Sequence, residues 1–163
     1  MKIHVLKQEQ RINAPLAQVF PFFSRPENLE RLTPRALGFQ VLTPSPIPMH
    51  VGAIIDYVVS LNGLPMRWTT AISEYDPPFR FVDVQLKGPY SFWHHTHTFE
   101  DLGVATLVRD EVHYALPAGP LGEIAHAVMV RRQLNGIFDY RRSFLAGITD
   151  WRVLDSTTAG AGL

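Results

Sequence analysis

Between Leu37 and Ala115 the chain alternates short apolar and polar runs with turn chemistry, and directly afterwards its apolar period becomes that of a helix. No other feature narrows the fold as much. The breaks are the Pro44-Ser45-Pro46-Ile47-Pro48 loop, Asn62-Gly63, Asp76-Pro77-Pro78, Gly88-Pro89 and Asp101-Leu102-Gly103, which divide the stretch into six antiparallel strands. Asn62-Gly63, between Ile54–Leu61 and Met66–Tyr75, signals a tight hairpin, because both central positions of that turn favour positive φ. After Pro117-Ala118-Gly119-Pro120 a helix is expected to run to about Thr149; ~30 residues at 1.5 Å each reach ~45 Å. Ala127, Val130, Leu134, Ile137, Phe138, Leu145 and Ile148 fall on one side of it, with Arg132, Gln133, Asp139 and Arg142 largely elsewhere.

Upstream, an imperfect strand pattern from Ile3 to Ile12 stops at Asn13-Ala14-Pro15, where Asn suits an N-cap and Pro the first helical position. A short helix carrying Leu16, Val19, Phe20 and Phe23 follows. Ser24-Arg25-Pro26-Glu27 repeats the signal for a second short helix bearing Leu29 and Leu32. The class is therefore α+β: a seven-stranded curved antiparallel sheet with two short helices and a long C-terminal helix. A wide, twisted sheet curls around such a helix, and the helix cannot fill the whole concave side, so a cavity is expected. Residues 1–155 read as a single domain, and 156–163 as a tail small and polar enough to fray.

Charged residues make up only 18% of the chain against about 25% for an average domain, which reserves apolar surface for a ligand or partner. Fifteen basic and fifteen acidic residues balance, so no net field draws in a phosphate backbone or anionic lipid, and nucleic acid is not an expected partner. The absence of cysteine removes disulfides, thiol nucleophiles and thiolate metal sites. No apolar run approaches the ~20 residues that span a bilayer, and Met1–Gln10 is unlike a signal peptide. A cytoplasmic protein without stable membrane insertion is expected; a homodimer is left open.

The element order, with Ala14-Pro15 to Val19-Phe20, Phe22-Phe23-Ser24-Arg25-Pro26-Glu27-Asn28-Leu29, Tyr75-Asp76-Pro77-Pro78, Phe81-Val82-Asp83, Gly88-Pro89-Tyr90, Trp93-His94-His95 and Phe138-Asp139-Tyr140-Arg141, resembles the helix-grip fold of the START-like (SRPBCC) superfamily. The resemblance covers nearly the whole chain and is nearest to the small bacterial polyketide cyclase/dehydrase-type branch. It implies a ligand-binding cavity. It supplies no universal catalytic constellation, so activity has to be argued from the site.

The densest polar-aromatic segment runs from Tyr90 to Phe99, and strand alternation puts Trp93, His95, His97 and Phe99 on one face. Facing a cavity, the rings would stack on an apolar ligand while the imidazoles bond its oxygens or move protons; the bland alternatives are a solvent face or satisfied core histidines. On the next strand Val108, Asp110, Val112 and Tyr114 are expected inward over Arg109, Glu111 and His113, as the more apolar set. An inward Asp110 could orient His95 or His97, and these three are the candidate catalytic residues. Asp83 and Gln85 are outward by ordinary patterning and inward as polar anchors by the resemblance; both readings stand. Arg141 falls in the apolar stripe of the last helix and needs Asp83, Asp110, Glu111 or a ligand anion, unless it snorkels to the rim. Tyr57, Trp68, Tyr90, Met129 and Phe138 complete the ligand-binding set, with Phe20, Phe23 and Leu32 as further wall candidates. The histidine pair could also share a metal with Asp110, His113 or Glu111, but no third ligand stands at diagnostic spacing, so neither metal nor cofactor is expected.

These observations predict binding of a small hydrophobic molecule, lipid-like or aromatic. The alternative is a cyclase, aromatase or dehydratase in which His95 or His97 relays protons. A protein-interaction module would instead have its cavity plugged by side chains.

Overall fold

The computed structural model describes residues 1–61, 63–117 and 129–151. Seven strands form one antiparallel sheet: β1 (His4–Ile12), β2 (Gln40–Val41), β3 (Ile54–Leu61), β4 (Leu64–Asp76), β5 (Arg80–Lys87), β6 (Phe92–Asp101) and β7 (Thr106–Ala115). Their spatial order is β1-β7-β6-β5-β4-β3-β2, so β1 closes against the last strand and the other neighbours follow one another along the chain. Helix α1 (Leu16–Phe23) follows β1, and α2 (Arg131–Ala146) ends the described chain. This is the expected helix-grip arrangement.

The register follows from the turns. Leu61 pairs with Leu64, leaving two residues in the loop, and Gly63 takes φ +79°, a conformation costly for any residue with a Cβ. On β7, Thr106, Val108, Asp110, Val112 and Tyr114 are all buried while Arg109 is exposed, so the apolar-richer set does face inward.

One apolar cluster joins Ile12, Val19, Phe20, Phe23, Phe81, Phe99 and Val108 with Leu145 and Trp151; a second joins Val112 and Tyr114 to Leu134 and Phe138. Both lie where α2 crosses the β1–β7 half of the sheet. Two polar contacts fix that position: the Gln10 side-chain amide donates to the Arg142 carbonyl at 3.0 Å, and Arg142 donates to Gln8 at 2.7 Å. The helix thus covers one half of the concave face. The other half is roofed by the segment after α1 and by the proline-rich loop, which Glu27 holds by accepting from the Ile47 N–H (2.9 Å) and the Ser45 hydroxyl (2.7 Å).

Several local expectations need correction. Pro15 itself caps α1 and no side chain does, so Asn13 is not the cap. The second short helix is a 3₁₀ turn over Pro26–Glu30, followed by another at Arg35–Leu37; buried Asn28 ties the first to α1 by donating to the Phe22 carbonyl at 2.8 Å. The first part of the expected long helix, with Ala127, and the expected tail lie outside the described residues. In α2 the buried residues are Leu134, Phe138, Arg141 and Leu145, while Ile137 and Ile148 are half-buried. Among the described residues no helix is long and apolar enough to cross a membrane.

Candidate ligand cavity and its polar wall

Between the sheet, α2 and the segment after α1 lies a cavity in two lobes, each of about 140 Å³. Leu29, Leu32, Tyr57, Trp68, Trp93, His95 and Arg141 border both lobes. The first lobe runs over Ile55, Thr70, Ile72, Phe81, Asp83 and His97 beneath Phe23 and Met49; the second reaches Phe39, Val59, Tyr90, Leu134, Ile137 and Phe138. Apolar voids of roughly 150 Å³ hold one benzene ring, so each lobe is sized for a single ring.

The wall between the lobes is aromatic. Trp68 stacks on Tyr57 (centroids 5.7 Å apart) and meets Trp93 edge-on at 5.1 Å, while Tyr90 and Trp93 lie 4.9 Å apart. Among the described residues, two buried donors of these side chains, Trp68 Nε1 and Arg141 Nε, have no hydrogen-bond partner. Leaving such a group unsatisfied costs about 1–3 kcal/mol.

Beside the rings sits a four-membered polar cluster built by strand register. Asp83 on β5 lies opposite His95 on β6, and His97 lies opposite Asp110 on β7, so two adjacent cross-strand pairs meet on the inner face. The imidazoles lie 3.7 Å apart between the two carboxylates. On one edge Asp83 Oδ2 is 2.9 Å from His97 Nε2 and 3.4 Å from His95 Nδ1. On the other, Asp110 Oδ1 is 3.0 Å from His95 Nε2 and 2.9 Å from His97 Nδ1. The last contact is close but off the hydrogen-bonding direction, so it counts as ionic only. Arg141 Nη1 donates to Asp110 Oδ1 at 3.3 Å, its guanidinium 4.9 Å from the centre of the Phe23 ring, and Trp93 Nε1 donates to Asp83 Oδ1 at 3.3 Å.

The charges sort themselves accordingly. Burial opposes ionisation of both aspartates, yet His95 and His97 hold Asp83 below the usual carboxylate range, and Arg141 with the two imidazoles holds Asp110 well below it. Burial also opposes a charged His97, but Asp110 and Asp83 outweigh it and raise its pKa. Burial and the neighbouring His97 together lower that of His95. Burial raises the Tyr57 and Tyr90 hydroxyls, which stay protonated donors.

The expected residues divide clearly. Tyr57, Trp68, Asp83, Tyr90, Trp93, His95, His97, Phe138 and Arg141 border the cavity. Asp110 lies behind the imidazoles, and among the carboxylates considered for Arg141 it is the one engaged. Four expected ligand contacts are corrected. Phe99 is core, packed against Phe20, Phe23 and Phe81. Tyr114 is buried under α2 in the Val112–Leu134–Phe138 cluster. Gln85 turns to the backbone of Tyr90, donating at 2.7 Å and accepting at 3.3 Å, and so pins the Gly88-Pro89 turn. Met129, just ahead of α2, is 48% exposed. Phe20 is likewise core. His113 and Glu111, considered as metal ligands, pair with each other at 2.7 Å on the partly exposed face. The sequence reading missed Met49, Ile55, Ile72 and Phe81 as wall residues; strand alternation carried the signal for the last three, but nothing in it distinguishes cavity wall from core, and Met49 stands in a loop.

The curved sheet gripping a C-terminal helix is the helix-grip fold. The family described as polyketide cyclase / dehydrase and lipid transport matches residues 12–138, and the chain belongs to it. Among solved structures it is similar to the Zhui aromatase/cyclase of Streptomyces sp. R1128, with 13% identity over 99% of this chain and 100% of that one and a TM-score of 0.72. It is also similar to a START superfamily protein from Mycobacterium smegmatis (15% identity, 88% and 95% covered, TM-score 0.65) and to Thalictrum flavum norcoclaurine synthase (14%, 88% and 94%, 0.63). At these identities the likeness is one of fold. No curated protein matches the chain.

Proposed function

We propose that the protein binds a compact hydrophobic molecule of about two rings, or a lipid-like chain of similar bulk, between its sheet and α2. The observation that carries this reading is the two-lobed apolar cavity with the aromatic wall of Tyr57, Trp68 and Trp93 at its centre. Each lobe accommodates about one ring, and His95, on the lining of both, suits a ligand bearing oxygen. The cysteine-free composition suits a reducing cytoplasm.

A second reading, cyclase, aromatase or dehydratase chemistry, is favoured by one observation: two imidazoles and two carboxylates share hydrogen bonds at the cavity edge, where a proton can pass to or from a bound oxygen. Native mass spectrometry of freshly purified protein, with extraction of whatever is bound, tests both. The binder returns an added oxygenated aromatic such as 2-naphthol unchanged as a one-to-one complex. A dehydratase converts a β-polyketone into a species lighter by one water, an activity that depends on His95 and His97. Failure to retain any apolar ring compound would overturn the cavity reading.

A further inference from the structure

The Asp83–His95–His97 group has a second property, independent of which molecule fills the lobes. One ligating atom from each of the three residues lies within 4.8 Å of the other two, and both histidines are buried. Donors ~2.0–2.1 Å from a tetrahedral zinc ion sit roughly 3.3–3.4 Å from one another. The separations at Asp83 Oδ2, 2.9 Å to His97 Nε2 and 3.4 Å to His95 Nδ1, bracket that value, so the carboxylate already stands at ligating separation from each imidazole, and side-chain movement within the 4.8 Å spread closes the third pair.

The surroundings have the form of an outer shell. The far nitrogens, His95 Nε2 and His97 Nδ1, both approach Asp110 Oδ1, at 3.0 and 2.9 Å. A carboxylate hydrogen-bonded behind a ligating imidazole, as Asp110 is to His95, fixes its tautomer and raises its basicity. Arg141 balances that carboxylate, and Trp93 Nε1 orients the outer oxygen of Asp83. The histidine spacing on β6 alone does not reveal this set, because the third ligand is on the preceding strand, where polar residues ordinarily face water. Two imidazoles and a carboxylate are a donor set suited to Zn²⁺, Fe²⁺ or Co²⁺.

We propose that Asp83 Oδ2, His95 Nδ1 and His97 Nε2 form a binding site for a divalent first-row transition metal at the edge of the cavity, with Asp110 as the outer carboxylate. The three protein ligands leave coordination positions for an oxygen anion of the cavity's ligand, a phenolate, enolate or carboxylate.

The test uses the whole chain stripped with chelator and titrated with ZnCl₂ by calorimetry, and with Co²⁺ followed by its visible absorption. Wild type should bind one equivalent, and His95→Ala/His97→Ala should lose it. Asp110→Asn should bind about 10- to 100-fold more weakly. The control is His94→Ala/His113→Ala, whose rings face each other 6.4 Å apart on the opposite face and which should bind as wild type does. Should the cluster variants fail to fold, ¹⁵N spectra of the wild-type imidazoles decide instead: Zn²⁺ must shift His95 and His97 and leave His94 and His113 in place. No stoichiometric binding, binding that survives His95→Ala/His97→Ala, or shifts confined to His94 and His113 would overturn the site. The cavity proposal is tested separately, by ring-compound retention in excess chelator, so either can fail alone.

Discussion

Arg141→Met tests the electrostatic account of the cavity edge. Arg141 is 9% exposed, donates to Asp110 Oδ1 at 3.3 Å and lies over the Phe23 ring. Removing one partner of a buried ion pair costs about 3–5 kcal/mol, chiefly because the other charge is stranded. Here Asp110 keeps both imidazoles, and Met fills much of the vacated volume, so the lower end, about 3 kcal/mol, is expected. For a domain of this length each kcal/mol moves Tm by about 2–4 °C, giving a fall of about 6–12 °C by calorimetry in excess chelator. In an Asp110→Asn background the stranded charge is absent, and the same substitution should cost about 1–3 kcal/mol less. A loss below about 1 kcal/mol, or an equal loss in both backgrounds, would refute the reasoning that Asp110 carries a buried charge held by Arg141.

Phe99→Ala should cost about 3–5 kcal/mol in chemical denaturation, as a core ring touching Phe20, Phe23 and Phe81 rather than a ligand contact; a loss of ring-compound binding at unchanged stability would contradict that placement. Gly63→Ala should cost about 1–2 kcal/mol through backbone strain alone, since an added Cβ meets nothing within 4 Å; urea midpoints of the two proteins measure it. Burial pushes the Glu27 carboxyl up, but the Ile47 N–H and Ser45 hydroxyl outweigh it and hold it below its ordinary value. The stability it adds is therefore complete above the unfolded pKa near ~4.3 and disappears as pH falls through the lower folded value. Melts from pH 6 down to about 3 should show the gap between wild type and Glu27→Gln closing on the acid side; a constant gap would contradict it.

The fold was legible because its signals are local: turn residues at Asn62-Gly63 and Gly88-Pro89, two-residue alternation on β6 and β7, and a helical stripe at Leu134, Phe138 and Leu145. The inward face of β7 followed from apolar content, whereas β6 left a solvent face open beside the inward one. Asp83 did not, because its inward direction depends on β5 pairing Asp83 with His95, a register the sequence leaves open. Phe99 and Tyr114 share a face with Trp93 and His95 but end as core, since alternation names the face and not the depth at which α1 or α2 covers it. Met129 stands exposed just ahead of α2, and the 3₁₀ geometry after α1 follows from packing around Asn28 that no cap motif encodes.

The cavity itself is tested most directly by ¹⁹F NMR of protein carrying 5-fluorotryptophan, titrated with 2-naphthol in excess chelator. Trp68 and Trp93 border both lobes, whereas Trp151 packs edge-on against Phe22, 5.4 Å away in the core beneath α1. The account predicts that the Trp68 and Trp93 resonances shift saturably while Trp151 stays in place. Three unmoved resonances, or a shift at Trp151 alone, would contradict it.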